Sequence, residues 1–542
     1  MSLFSESSLR GDLNGGWSRG AAIYQIYPLS FFDSNGDGMG DLPGVTAKLG
    51  YIASLGVDAV WLSPFYLSPM ADYGYDVADH KAIDPVFGAL RDFDALMARA
   101  TQLGLRVMVD LVVGHTSDSH AWFRDSRASR RSDKADWYVW ADPREDGLPP
   151  NNWLSVFSGP AWKWEPRRRQ YFLHHFLPEQ PSLNVRNAEA RAALVDVASF
   201  WLDRGVSGLR LDAIDFLAHD PALRNNLPSG TKPDDAPAKL FGMQTHVHDM
   251  LHPDGMTLLR DLRALADERE AMLLGEVSSQ PGAFDRVARY TQASAPLHSA
   301  YTLAPMRGAF DHAAAQDLVA AAARPEGSVC WAFSNHDTVR MASRWCMHEG
   351  AVHRRKLEVI TAFQVALRGE ICLYQGEELG LTEAELAPAD MRDPFGLAFY
   401  PEFKGRDGAR TPIPWTSAGG AHGFSDGAPW LPAQAEHGAL AVERQDLDPT
   451  SLLAHWRDLL AWRRRSPEIR HGALLPLETQ APVIGFVREH EKRRTTCLFN
   501  FGDEPACATV SGETIELGPW TFRYIASETP AMAEFALTVS AA

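Results

Sequence analysis

At 542 residues the chain is too long for a single core and calls for one large domain with one or two smaller ones. Hydrophobic content of 45% and charged content of 22% are those of a folded globular protein. A formal net charge of −17 argues against nucleic acid or an anionic membrane surface as partner. The opening stretch MSLFSESSLRGDLNGGW has neither the basic start nor the apolar run of a secretory signal, and no segment is apolar enough to cross a bilayer. Five cysteines (Cys330, Cys346, Cys372, Cys497, Cys507) have no metal-type spacing, so a reduced, cytoplasmic setting is expected. Trp and Tyr are abundant, which suits stacking on flat ligands as well as simple burial in a large core.

In chain order, short apolar runs at 21–27, 57–62, 105–113, 206–213, 271–277, 297–303, 328–334 and 370–375 predict buried parallel strands, with 297–303 the least apolar of them. Amphipathic helices separate them. In 91–103, Phe93, Leu96, Met97, Ala100 and Leu103 share a face before Gly104; in 188–204, Asn187 serves as N-cap and Gly205 as stop. Such alternation fits an open doubly wound sheet or a closed barrel. No Gly-rich phosphate loop follows any strand, which favours a (β/α)8 TIM barrel. Two stretches break the pattern: 116–186, rich in Trp, Pro and Arg, and 380–432, rich in Gly and Pro. From about 475 short alternating strands take over. The expected division is a barrel of 18–115 plus 187–474, an inserted subdomain of 116–186, and a C-terminal antiparallel β-sandwich of 475–542.

In such barrels function gathers at the C-terminal strand ends. The fourth strand ends Gly208-Leu-Arg210-Leu-Asp212, and residues two apart on a strand share a face, so Arg210 is expected to keep Asp212 ionised with a low pKa. The fifth ends in Glu276 after an apolar run, where poor solvation raises a carboxyl pKa. The seventh ends Asn335-His336-Asp337 and the third leads to His115. Taken singly, each admits a structural ion pair, a capping Glu or a core histidine; together they point to a site. Two carboxyl groups in an aromatic cleft, one acid and one nucleophile or base, are what glycoside hydrolysis requires.

These blocks, with Asp110-Leu-Val-Val-Gly-His115, Met70-Ala-Asp-Tyr-Gly-Tyr-Asp76, Gln180-Pro-Ser-Leu-Asn184 and Gly405-Arg-Asp-Gly-Ala-Arg-Thr-Pro412, resemble glycoside hydrolase family 13, the α-amylase family, and in it the oligo-1,6-glucosidase and α-glucosidase group. The resemblance implies Asp212 as nucleophile, Glu276 as acid/base and Asp337 as transition-state stabiliser. It implies a glucosyl subsite of Asp72, Tyr75, His115, Arg210, His336 and Arg410, with Tyr75 stacking, Asp72 and Arg410 gripping the farthest hydroxyl, and Phe157 and Phe176 lining the pocket. The implied activity is that of a retaining, exo-acting α-glucosidase on maltose, short malto-oligosaccharides and other α-glucosides, as a monomer or homodimer. A transglucosylase or an oligo-1,6-glucosidase on the same machinery is the alternative. A non-catalytic interaction barrel is a third reading, opposed by the carboxylates. Ala213, where Val accompanies α-1,6 cleavage in the group, leans the expectation to α-1,4 or broad linkage use.

The loop Asp33-Ser-Asn35-Gly-Asp37-Gly-Met39-Gly-Asp41 spaces oxygen side chains between glycines, as a hard cation requires, though Gly44 stands where an EF-hand has its bidentate Glu. The resemblance supports structural Ca²⁺ or Mg²⁺ on Asp33, Asn35, Asp37, Asp41 and the Met39 carbonyl. Two departures from the family remain: Gly114 replaces an Asn that often holds a different calcium, and Ser182 replaces the usual Asp that supports the insertion.

Overall fold

The computed structural model describes residues 16–348 and 351–528, so the leader reading begins outside the described residues and the 475–542 module ends outside them. Eight strands run parallel: β1 (Ala22–Ile26), β2 (Ala59–Leu62), β3 (Arg106–Leu111), β4 (Gly208–Leu211), β5 (Met272–Val277), β6 (Ser299–Thr302), β7 (Cys330–Ala332) and β8 (Glu370–Tyr374). Their lateral order is β6-β5-β4-β3-β2-β1-β8-β7. A parallel bridge between Ala300 and Val329 joins the two ends and closes the cylinder. All eight expected strands are present, 297–303 included.

The strands read as unbroken apolar runs because both faces are covered. Ile23, Trp61, Met108, Met272, Leu274, Tyr301 and Cys372 fill the interior as one cluster, while Tyr24, Val60, Leu209 and Leu273 pack outward against the helices. The expected helices form as Leu90–Gln102 and Ala188–Leu202. Asn187 caps the second, its side chain accepting the N–H groups of Glu189 and Ala190. Gly104 and Gly205 follow the two helices with φ of +72° and +89°, a region open to glycine.

Residues 116–186 carry a small antiparallel sheet (Trp140–Ala141, Gln170–Leu173, Trp162–Glu165) with a core of Val139, Trp153, Trp162 and Leu173. The C-terminal part is antiparallel, with Ala473–Pro476, Val483–His490, Arg493–Asn500 and Thr521–Glu528 in one sheet and a separate ribbon of Ala506–Val510 with Glu513–Leu517. One further excursion was not expected. Between β4 and the helix Gly255–Glu268, residues 213–254 form short turns and a two-stranded ribbon of Leu227–Pro228 with Gln244–Thr245. Its sequence, NNLPSGTKPDDAPAK, has no apolar period to mark an element. The insertion is tied to this stretch: Asn152 Nδ2 donates to the Asn226 carbonyl at 3.0 Å, and the His175 ring nitrogen meets the Asp249 carbonyl at 2.7 Å. Among the described residues no helix is long and apolar enough to cross a membrane.

Candidate active site

Arg210 points from β4 to the C-terminal end of the barrel and is fully buried. Its Nη1 donates to Asp110 Oδ1 at 2.8 Å and to Asp212 Oδ1 at 2.7 Å, and its Nη2 lies 2.7 Å from Glu276 Oε2. The Asp212 and Glu276 carboxyl groups therefore share one guanidinium and face the same space. The turn after β4 adds a further tie: Ala213, at φ +43° and ψ +47°, donates its N–H to Glu276 Oε2 at 3.0 Å. A left-handed residue without the freedom of glycine is strained, and here the strain aims a backbone donor at the acid.

Burial pushes the Glu276 carboxyl up to about 7, opposed by Arg210 and reinforced by Asp212 and Asp337. Burial also raises Asp212, with Arg210 opposing and Asp110 adding to the rise. The expectation of a low Asp212 pKa is thus overturned. At Asp212 burial outweighs the one guanidinium, which Asp212 shares with Asp110 and Glu276.

Asp337 behaves in the opposite way. Burial raises it, yet His336, Arg406 and Arg410 bring it well below the usual carboxylate range. Burial holds His336 down at about 3, so the imidazole is neutral near pH 7 and the two guanidiniums keep Asp337 ionised. Arg410 Nη2 donates to Asp337 Oδ1 at 2.8 Å and Arg406 Nη1 at 3.1 Å.

The other expected residues surround these. Tyr75 stacks on His336 with ring centres 5.2 Å apart, and its hydroxyl donates to Asp110 at 2.9 Å. His115 lies 3.2 Å from Gln180 Nε2, which donates to Asp72 Oδ2 at 3.0 Å. Phe157 stacks on Phe395 at 3.8 Å, and Phe176 packs 5.1 Å from His115, so both aromatics of the insertion border the site.

Residues 25–472 match the family described as alpha amylase, catalytic domain. The chain belongs to this family. It is 48% identical over 509 residues to a probable alpha-glucosidase of Rhizobium meliloti (strain 1021), covering 92% of each chain. It is 32% identical over 535 residues to an oligo-1,6-glucosidase of Heyndrickxia coagulans, covering 90% of this chain and 92% of that one. Among solved structures, an alpha-glucosyl transfer enzyme superposes with a TM-score of 0.90 at 47% identity, over 95% of this chain and 100% of that one.

Arg406 is the functional-site residue that motif reading passed over. The guanidinium 2.6 Å from Asp72 Oδ1 is Arg406, which also binds Asp393 at 2.7 Å. Arg410 is engaged instead by Asp337 and by the His336 carbonyl at 2.8 Å. Both arginines lie in the block Gly405–Pro412, so the signal was present without saying which one reaches Asp72. Asp110 and Gln180, quoted only as motif members, also belong to the site. Ser182 supports the insertion in place of Asp, with its hydroxyl 3.0 Å from the His175 ring.

The loop 33–41 closes largely on itself. Asp33 accepts the N–H groups of Asn35, Gly36 and Gly38 at 2.8–3.0 Å, Asn35 that of Asp37 at 2.9 Å, and Asp37 that of Met39 at 2.9 Å. Asp41 is turned to the helix Leu42–Leu55, accepting the Gly44 N–H at 2.6 Å, and also takes the Ser34 hydroxyl at 2.8 Å. A Cβ at Gly44 would lie 2.0 Å from the Phe32 carbonyl oxygen, so no side chain can stand at the twelfth position. Among the described residues no three His, Cys, Asp or Glu side chains gather to hold a metal ion. Asp33, Asn35, Asp37, Asp41 and the Met39 carbonyl lie together on one loop of EF-hand form.

Because Arg406 joins buried Asp72, Asp337 and Asp393, Arg406→Ala is expected to lower stability by about 3–5 kcal/mol, read as a depressed unfolding transition beside the wild type. An unchanged transition would mean that these carboxylates are not held by it.

Proposed function

We propose that the chain is a retaining α-glucosidase that releases glucose from the non-reducing ends of maltose, short malto-oligosaccharides and other α-glucosides. The observation that carries this reading is the pair Asp212 and Glu276, both 2.7 Å from one buried guanidinium, with Asp337 held ionised beside them. In retaining enzymes the two carboxyl groups stand ~5–5.5 Å apart. Asp212 attacks the anomeric carbon as the glycosidic bond breaks, and Glu276 gives its proton to the leaving oxygen. Glu276 then takes a proton from the water that frees glucose from Asp212. Asp337, kept anionic by Arg406 and Arg410, stabilises the oxocarbenium-like charge of the transition state in each step.

Tyr75 and His115 form walls of the glucosyl pocket, and Asp72, bonded to Arg406 and joined by Arg410, shuts its far end, so the sugar enters with its non-reducing end first and single glucose units leave. Ala213, half-buried and small, leaves room beside the leaving group and favours α-1,4 or broad linkage use over α-1,6. A glucosyl transfer reading has one observation of its own, the likeness at 47% identity to an alpha-glucosyl transfer enzyme. Product analysis at high acceptor concentration separates the two, with glucose alone opposing transfer. Four buried thiols and one exposed, all unbridged, support a reducing cytoplasmic setting, and we expect a monomer or homodimer.

Asp212→Asn is expected to abolish glucose release, by 10³-fold or about that, with the circular dichroism spectrum kept; retained turnover would end the assignment. Glu276 must hold its proton to act as acid, and that proton is lost as pH rises through about 7. The kcat/KM profile should therefore fall on its alkaline side near that value, and a profile flat to ~9 would contradict the role. The cation on Asp33, Asn35, Asp37, Asp41 and the Met39 carbonyl is a separate proposal, in which Ca²⁺ or Mg²⁺ braces the loop without entering the chemistry. Chelation should then lower the melting temperature by several degrees, with recovery on adding either ion. No shift would remove the ion from the account.

A further inference from the structure

Gln25, on β1, is a fully buried amide on the barrel-interior face that Ile23 also occupies. An amide in that position needs partners. Its Nε2 has two: His336 Nδ1 at 2.8 Å, and Ser63 Oγ, just after β2, at 3.2 Å. The imidazole it meets is held between two aromatic rings. Tyr27 lies with ring centres 5.6 Å apart and Tyr75 with ring centres 5.2 Å apart, inclined by 14° and 3°. Covered on both faces, the His336 ring keeps only its edges for polar contact. One edge meets Gln25. At the other, Nε2 lies 3.3 Å from Asp337 Oδ2, whereas Arg406 and Arg410 both donate to Oδ1. Among the described residues this Nε2 has no full hydrogen bond.

A neutral imidazole has one proton for two nitrogens, and the bond made at one nitrogen decides the state of the other. His336 is neutral near pH 7. The two edges place its proton alike. Gln25 Nε2 donates to Nδ1, which must then be bare, so the proton is on Nε2. Asp337 requires the same, because a bare Nε2 would set a lone pair against an anionic oxygen 3.3 Å away. Turning the Gln25 amide over would place Oε1 against Nδ1, draw the proton there and create that opposition.

Building on the α-glucosidase reading, we infer that Gln25 is a positioning residue that holds His336 in the Nε2–H form, so that the ring edge turned to Asp337 is a hydrogen-bond donor. The side-chain hydrogen bonds of Gln25 reach neither Asp212 nor Glu276. It acts through the ring. An N–H beside Oδ2 keeps in place the negative charge that Asp337 offers to the oxocarbenium-like transition state, and a lone pair there would push it away.

The test has two readouts. Ring ¹⁵N spectra of histidine-labelled protein, with His336→Phe identifying the signal by its loss, should show a protonated Nε2 and a bare Nδ1. The opposite pattern overturns the inference whatever the activity. Next, kcat/KM for 4-nitrophenyl α-glucoside is measured for Gln25→Met, His336→Phe and the double variant. Gln25→Met keeps the side-chain length and removes the donor, while His336→Phe keeps the stack and removes both nitrogens. Gln25→Met should lower kcat/KM by about tenfold to a hundredfold in the wild type, and by less than about twofold in His336→Phe. An equal loss in both backgrounds would make Gln25 a packing residue and overturn the inference. Gln25→Glu adds a pH signature. Its carboxylate draws a proton to Nδ1, so Nε2–H survives only while the ring and the new carboxyl share a second proton. Asp337, Arg406, Arg410 and Arg210 around the ring are unchanged. Its kcat/KM relative to the wild type should therefore fall as pH rises, and a ratio flat with pH counts against the inference. If the wild type cleaves no neutral α-glucoside, the α-glucosidase reading fails, while the ring spectra still decide the role of Gln25.

Discussion

Arg210 lies within 2.7–2.8 Å of Asp110, Asp212 and Glu276, and the chemistry of the site follows from one guanidinium serving three acids. A buried charge without partners costs several kcal/mol, so this residue is anchored as firmly by its carboxylates as they are by it. The division of its charge keeps proton affinity high on the attacking and protonating groups together. Burial raises both Asp212 and Glu276, and Arg210 opposes the rise in each.

Around this centre charge is allocated by a second rule. Asp337 is bonded by Arg410 and also by Arg406, which it shares with Asp72 and Asp393, and it stays anionic. The barrel supplies Asp110, Arg210 and Glu276 from strands, whose positions are fixed by packing on both faces, while Arg406 and Arg410 come from the long segment after β8. Rigid elements set the distance between the reacting groups; loops set how many positive charges surround them.

The cylinder was legible because strands covered on both faces are mostly apolar; in 297–303, the least apolar, Ser299 and Thr302 are buried with their hydroxyls donating to Glu370 and the Ser278 carbonyl. The excursion at 213–254 was not, since a segment lying on other loops has no period to betray it. Asp212, Glu276 and Asp337 stood out as acids closing apolar strands. The proton affinity of Asp212 could not be read from Arg210 two residues away, because the competitor Asp110 lies 100 positions upstream and meets that arginine only in the folded barrel. That Arg406 bonds Asp72 was hidden for the same reason. Two long side chains four residues apart in an irregular loop can reach different acids, and only the backbone path decides between them.

The seam between the insertion and the excursion after β4, where Asn152 meets Asn226 and His175 meets Asp249, has an evolutionary consequence. Both stretches are loop-borne, and beyond Ala213, which donates its N–H to Glu276, the strands carry Asp110, Arg210 and Glu276 themselves. Descendants of this chain can therefore drift in what they admit beside the glucose ring while inheriting the bond-breaking apparatus unaltered. Diversification of diet, in such a lineage, is decoupled from the hazard of losing catalysis.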